Sequence, residues 1–481
     1  MPGALTRHRQ TQYQNAGFGR DRRRWRGVMA VWLCLLATPV TLAVAPDAPV
    51  GRVELGASAE QADATIACMY PMTGRSASYG RDSIVGIRLA LEELAADPQA
   101  PALRVIVDDS RSKASFAVRM AEDFLRQDNA DILCGMVSSG VGMAVSRLAR
   151  QRQVILVGTD HASSRAALEE GHDYYFRVSS DTWTSHAAGA RYLRELQQET
   201  GWRRLAFLGP DYEYGRVAWR DLRQALDQNG VSYEQTATYW PRLYEPDYSL
   251  YIQSLLENPP DILVVGLWGG DFTAFIEQAR TTRLFERMRV ANFDTGGDYE
   301  TLVALGSRPP GGLILSARHH VNWPQTERNR QFVSRFRNLS GRYPSYSAQG
   351  AYAGIRYIAE AITRTGDVTD TRAMISALEG LALPLPKDPE GFVSYIDPDT
   401  HQIVQAQAIG SPVADDRFPP AQVLLGHWRV YDAESLKPSP ALIRKRRGET
   451  VGQVPDGTPA PDNPETQAVS ASAQQQPRST Q

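Results

Sequence analysis

Cysteine is almost missing from this sequence, with three residues in 481, at positions 34, 68 and 134. That excludes a disulfide-stapled miniprotein and a cysteine-rich metal cluster. Histidine is scarce too, at eight residues. The patterns that carry catalysis are also lacking: there is no G-x-S-x-G, H-E-x-x-H or P-loop, and no cysteine sits in a catalytic signature. An excess of positive charge is missing as well, since 52 basic residues face 54 acidic ones. No basic block of the folded part points to a nucleic acid. Long apolar runs are absent but for one, Val28–Ala45.

That run follows Arg20, Arg22, Arg23, Arg24 and Arg26 and ends in Ala43-Val44-Ala45. A basic region, an apolar region and an A-x-A end predict a secretory signal peptide over residues 1–45. Pro39 and the polar sequence after Pro46 favour cleavage over retention as an anchor. Cys34 lacks the small neighbours of a lipid-attachment site. Cleavage removes seven Arg and one Asp, leaving 45 basic against 53 acidic residues and a net charge of −8. The mature chain is therefore expected in the periplasm, acidic, without stable membrane insertion and without a polyanion partner. Cys68 and Cys134 fall in expected strands, so buried free thiols are the default, although an exported compartment permits a disulfide.

Residues 46–60 read as a linker. From Ala64 the chain alternates short apolar runs with amphipathic stretches: strands at Ala64–Met69, Leu103–Val107, Ile132–Cys134 and Val154–Val157, with helices over Phe116–Leu125 and Val141–Arg150. After a helix from Asp181 to Leu196 a second series repeats the pattern, with strands at Leu205–Leu208, Ser232–Thr238, Ile262–Val265 and Arg289–Phe293. Such alternation predicts an α/β fold of right-handed βαβ units with parallel sheets. Two similar series mean two similar lobes. Helices at Asn329–Phe336, Ala348–Thr363 and Arg372–Leu378 are expected to return to the first lobe, and short strands within 391–432 to cap the second. The limits are 61–182 plus 317–390 for lobe one and 183–316 plus 391–435 for lobe two. The Pro/Gln/Ser/Thr-rich stretch 436–481 is expected to be disordered, with Arg444-Lys445-Arg446-Arg447 a solvated run.

The most informative stretch is Ala64–Leu94. A buried strand there runs into a small-residue loop, Pro71–Gly80, and then a helix with one wide apolar face. This geometry holds a ligand over the carboxyl end of a sheet. With it go MVSSGVGMAVSRLA after the third strand, FRVSSDTW at the end of the first series, GPDYEYGR in the second, and SAQGAYAGIRYIAEAI late in the chain. Over residues 62–431 these motifs, in this order, resemble the type I periplasmic solute-binding proteins of ABC importers, in the leucine/isoleucine/valine-binding branch. The resemblance implies two Rossmann-like lobes joined by three interlobe crossings, with a small-molecule ligand held in a cleft that closes by hinge motion. It further implies an ABC importer permease as partner, a monomer, no enzyme activity and no cofactor.

The same resemblance places Tyr79 over the ligand and Ser138 and Ser139 on its carboxylate. Tyr214 becomes the second lobe's loop tyrosine, Trp268 an aromatic gate, and Asp294 the acid that pairs with an ammonium. The loop holding Asp160, His161 and Ala162 is expected to touch the ligand too. Asp160 and His161 depart from the small residues and hydroxyl usual there, which weakens the case for a simple aliphatic amino acid. An amino acid, an amide or an aromatic acid remains open. His319-His320 is the nearest approach to a metal motif. Neighbouring strand residues point to opposite faces, and no carboxylate or cysteine stands at ligand spacing, so no metal is expected. The alternative to import is a ligand-sensing or accessory periplasmic protein of an oxidation pathway that keeps the fold without transport.

Overall fold

The computed structural model describes residues 51–450. The expected leader, residues 1–45, and the expected tail beyond residue 450 lie outside the described residues.

The first lobe is built from strands β1 (Val53–Gly56), β2 (Ala64–Tyr70), β3 (Leu103–Asp109), β4 (Ile132–Gly135), β5 (Ile155–Gly158) and β6 (Tyr175–Arg177). Helices α1 (Ala77–Ala95), α2 (Ala114–Gln127), α3 (Ser139–Arg152) and α4 (Arg165–Leu168) connect them. The sheet order is β1-β3-β2-β4-β5-β6, parallel except for β1. β2 is buried at every position but Thr65, as befits a central strand covered on both faces. The expected linker is thus partly structured: Val53–Gly56 pairs antiparallel with β3. The two cysteines are not free thiols. Cys68 and Cys134 face each other across β2 and β4 with Cα atoms 4.4 Å apart, and they form a disulfide.

The second lobe begins with α5 (Thr182–Thr200), whose first turn is capped by the Asp181 carboxylate accepting from the Thr184 amide. Strands β7 (Arg204–Leu208), β8 (Glu234–Tyr239), β9 (Ile262–Val265), β10 (Arg289–Asn292) and β11 (Leu313–Leu315) follow, linked by α6 (Glu213–Gln228), α7 (Ser249–Glu257), α8 (Gly269–Arg280), α9 (Leu284–Arg287) and α10 (Tyr299–Leu305). The chain then returns to lobe one through α11 (Glu327–Ser340), α12 (Tyr346–Thr365) and α13 (Thr371–Leu378). α12 lies along α1, and the crossing is tight: a Cβ on Gly86 would come within 2.2 Å of the Ala348 carbonyl oxygen.

The hairpin of β12 (Tyr395–Ile396) and β13 (Ile403–Val404) also belongs to lobe one, which corrects the expectation that residues from 391 cap lobe two. The Arg177 amide donates to the His401 carbonyl, the Leu383 amide donates to that of Ser394, and His401 stacks on Phe176. Only β14 (Gln407–Ala414) and β15 (Val423–Tyr431) join the second sheet, whose order is β15-β14-β11-β10-β9-β7-β8. The chain therefore crosses between lobes three times, at 178–181, 316–326 and 405–406. One buried polar network ties these crossings together. Lys387 Nζ donates to Ser180 Oγ at 2.6 Å, Ser180 Oγ to Gln405 Oε1 at 3.2 Å, and Gln407 Nε2 to Ser316 Oγ at 2.8 Å.

The chain past Leu436 is structured as well. After α14 (Ala433–Leu436), helix α15 (Pro440–Thr450) buries Leu442 and Arg446. Arg444, Lys445 and Arg447 are exposed, but Arg446 is not part of a solvated run: its Nη2 meets the buried Asp221 carboxylate at 2.7 Å. A buried ion pair and an apolar anchor order this segment despite its polar composition.

Candidate functional site

The two sheets repeat one winding. Read from β3, the first runs β3-β2-β4-β5-β6; read from β8, the second runs β8-β7-β9-β10-β11. In each, the strand order reverses once, between β2 and β4 and between β7 and β9. Open α/β sheets bind ligands at such switch points, outside the carboxyl ends of the strands. A cavity of ≈10 Å³ lies where the two sets of loops meet. From lobe one come Val137 and Ser139 after β4, Ala162 after β5 and Tyr346 at the start of α12. From lobe two come Tyr212 and Tyr214 after β7, Trp268 after β9, Thr295 after β10 and Arg318 after β11. That is room for about one water, so the two sets of loops are nearly in contact across it.

The lobes touch around this cavity. Arg75 Nη1 meets Asp271 Oδ1 at 3.2 Å, Ser78 Oγ donates to Glu300 Oε2 at 3.1 Å, and Arg165 Nη1 reaches Glu213 Oε2 at 2.7 Å. The cleft is closed.

Of the expected site residues, Ser139, Ala162, Tyr214 and Trp268 line the cavity. Ser138 precedes the first residue of α3, and the amides of that helix's first turn have no partner inside the helix. Ser139 Oγ accepts from the Ala162 and Ser163 amides at 3.3 and 3.2 Å, which fixes the β5 loop against the helix start. Trp268 Nε1 donates to the Tyr212 hydroxyl at 2.9 Å. Tyr79 stands behind Trp268 and Tyr346, with ring centroids 6.1 and 5.1 Å away.

His161 is not brought to the cavity. Its ring is buried against Gly142 and Gly158, with Nε2 3.1 Å from the Tyr175 hydroxyl. Burial pushes it well below its ordinary pKa, so it is neutral. His319 and His320 are also buried apart from the cavity, His319 bonded to Asn329 and His320 packed on Trp428.

Asp160 and Asp294 come together from opposite lobes, through a residue that the sequence reading missed. Arg318 Nε and Nη2 reach Asp294 Oδ1 and Oδ2 at 3.1 and 2.6 Å, while Nη1 reaches Asp160 Oδ1 at 2.9 Å and its backbone carbonyl. Asp294 also accepts from Ser185 Oγ at 2.7 Å and from the Tyr214 hydroxyl at 2.9 Å. Asp160 accepts from Ser347 Oγ. The guanidinium lies 4.9 Å from the centre of the Tyr346 ring. Burial pushes Asp294 up, but the Arg318 charge and its bonds prevail and bring it down to about 2. For Asp160, which holds only one arm of the guanidinium through its side chain, burial wins and the carboxyl rises to about 6. The sequence signal for Arg318 was a charged residue three positions past the apolar run Leu313–Leu315, at the second crossing.

Chains that fold two doubly wound lobes around a small cavity form a class of solute-binding receptors, and this protein is one of them. It belongs to the periplasmic binding protein family, which matches residues 63–416. Among its relatives is the Leu/Ile/Val-binding protein homolog 6 of Brucella melitensis, 24% identical over 362 residues, or 73% of this chain and 88% of that one. Two solved structures share the fold. One is an ABC transporter solute-binding protein from Rhodopseudomonas palustris in complex with 3,4-dihydroxybenzoic acid, with a TM-score of 0.67, 22% identity and coverage of 77% of this chain and 97% of that one. The other is an amino acid ABC transporter substrate-binding protein from Pseudomonas fluorescens, with a TM-score of 0.67, 23% identity and coverage of 77% and 96%. Among the described residues no helix is long and apolar enough to cross a membrane.

Proposed function

We propose that the protein is exported to the periplasm by a cleaved leader, captures one small carboxylic acid in the interlobe cavity, and hands it to an ABC importer permease as a monomer. The observation that carries this reading is the position of Ser139. It opens α3 at the switch point of lobe one and lines the cavity, so the unpaired amides of the first helical turn favour an anionic group there. Trp268, Tyr212 and Tyr214 from the other lobe form an apolar wall, so a carboxylate held at one end is covered at the other when the lobes meet. The Rhodopseudomonas neighbour holds an aromatic acid and the Pseudomonas neighbour is named for amino acids; a carboxylate is what the two ligand types share.

A ligand bound only by the folded state at 100 times its dissociation constant adds about 2.7 kcal/mol of stability. A thermal-shift screen against aromatic acids, amides and amino acids is expected to give a rise of several degrees with at least one carboxylate, reduced in Ser139→Ala. A screen in which no carboxylate raises the melting temperature would contradict the proposal.

A further inference from the structure

We infer that Arg318 makes this cavity select aromatic carboxylates that lack an α-amine and reject the matching α-amino acids. The inference rests on the reading of the cavity as a carboxylate site and names its ligand class. An α-amino acid needs an acceptor for its ammonium, and the acid expected in that place is Asp294. Its carboxylate is already engaged by four donors: Ser185 Oγ and Arg318 Nε on Oδ1, and the Tyr214 hydroxyl and Arg318 Nη2 on Oδ2. Two carboxylate oxygens offer about four lone-pair sites, so little accepting capacity is left.

What faces the cavity instead is the guanidinium. Arg318 lines it, whereas neither Asp160 nor Asp294 does. An entering ammonium would find both carboxylates turned onto the guanidinium and no acceptor of its own, and burying a charge without a partner is costly. A carboxylate or phenol oxygen fits the same place. Four of the five guanidinium N–H donors are used by Asp294 and Asp160, which leaves one for a ligand oxygen among the described residues. The remaining wall is rich in rings, with Tyr212, Tyr214, Trp268 and Tyr346, against which an aromatic ligand can stack. The site has thus exchanged an ammonium acceptor for an internal cation while keeping the carboxylate-binding end at Ser139.

Calorimetric titration with phenylacetate and L-phenylglycine tests this, since the two differ only in the α-amine; benzoate serves as a second amine-free acid. The wild type is expected to bind an amine-free acid at least about tenfold more tightly than phenylglycine, because a buried ammonium left without an acceptor disfavours the complex. In Arg318→Gln the preference should shrink to a few-fold or reverse, as Asp294 is released to accept an ammonium. Arg318→Lys, which keeps the charge, should retain it. If Arg318→Gln does not fold, the wild-type and Arg318→Lys comparisons decide. Phenylglycine binding as tightly as the amine-free acids, or undiminished discrimination in Arg318→Gln, would overturn the inference and leave the receptor reading standing. If no carboxylate binds, with or without an amine, both fall.

Discussion

Arg318 grips Asp294 through two parallel contacts, Nε to Oδ1 at 3.1 Å and Nη2 to Oδ2 at 2.6 Å, in a site closed to solvent. The same side chain reaches Asp160 on the opposite lobe. One guanidinium therefore joins the loops after β5, β10 and β11, and its removal leaves two buried carboxylates without their cation. Breaking a buried pair from one side costs about 3–5 kcal/mol. Arg318→Gln is expected to lose that much in urea unfolding, and adding Asp294→Asn should return part of it. A loss below 1 kcal/mol would mean that solvent reaches the pair.

Three buried aspartates predict a definite pH dependence. Burial raises Asp160 and Asp82 to about 6, whereas Arg318 holds Asp294 at about 2. An unfolded aspartate titrates near about 3.9. Between roughly pH 4 and 6 the folded protein keeps protons that the unfolded chain has released, so stability falls as pH rises through that window. Asp294 acts oppositely: its contribution is complete above about pH 4 and is lost as pH falls toward about 2. The neutral His161, His172, His319 and His320 oppose Asp160 and Asp82 in this window, because burial holds them below their ordinary pKa. The test is therefore differential: Asp160→Asn should gain stability relative to the wild type as pH rises from about 4 to about 6. A difference between variant and wild type that stays constant across this range would show that Asp160 is not raised.

The Cys68–Cys134 disulfide closes a loop with a sequence separation of 66 residues between adjacent central strands. Bonds of this kind contribute about 2–4 kcal/mol. Cys68→Ser/Cys134→Ser, or the wild type unfolded under strong reductant, should be less stable by that amount with ligand affinity little changed, because neither cysteine lines the cavity. Equal stability in oxidised and reduced protein would contradict it.

Helix α15 spans the lobes at one side. Arg446 Nη2 meets Asp221 Oδ1 of α6 at 2.7 Å, and Nη1 donates to Ser164 Oγ of lobe one at 3.1 Å. Deleting residues from 437 onward, which composition alone would permit, is instead expected to lower the melting temperature by several degrees. Arg446→Ala should reproduce part of the loss, since it takes the nearer of two cations from the buried Asp221 and leaves Arg220 and the Thr182 hydroxyl. A truncated protein as stable as the full chain would remove α15 from the fold's supports.

Local pattern told much of the architecture in advance. Ile262–Val265 is a strand with the expected limits, and Ala348–Thr363 lies wholly within α12, because a buried apolar run and a long amphipathic period need no distant partner to be read. The edge strand Val53–Gly56 was missed: four half-exposed residues carry little pattern, and pairing with β3 is what orders them. The hairpin of β12 and β13 was assigned to the wrong lobe because, besides Leu381 and Leu383 just before it, its contacts are with Arg177, 225 residues back from Gln402. Likewise, the family resemblance marked Ser139, Tyr214 and Trp268 as site residues, but not what neutralises Asp294. Arg318 is 158 residues from Asp160, and no local spacing reveals that contact.

The most direct test offers the protein an equimolar mixture of amino acids, amides and aromatic acids and weighs the complex by native mass spectrometry, with the bound molecule identified after release. The account predicts one acid per chain, carrying a carboxylate and no amine. Recovery of an amino acid would contradict the role given to Arg318, and a chain that retains nothing would contradict the receptor itself.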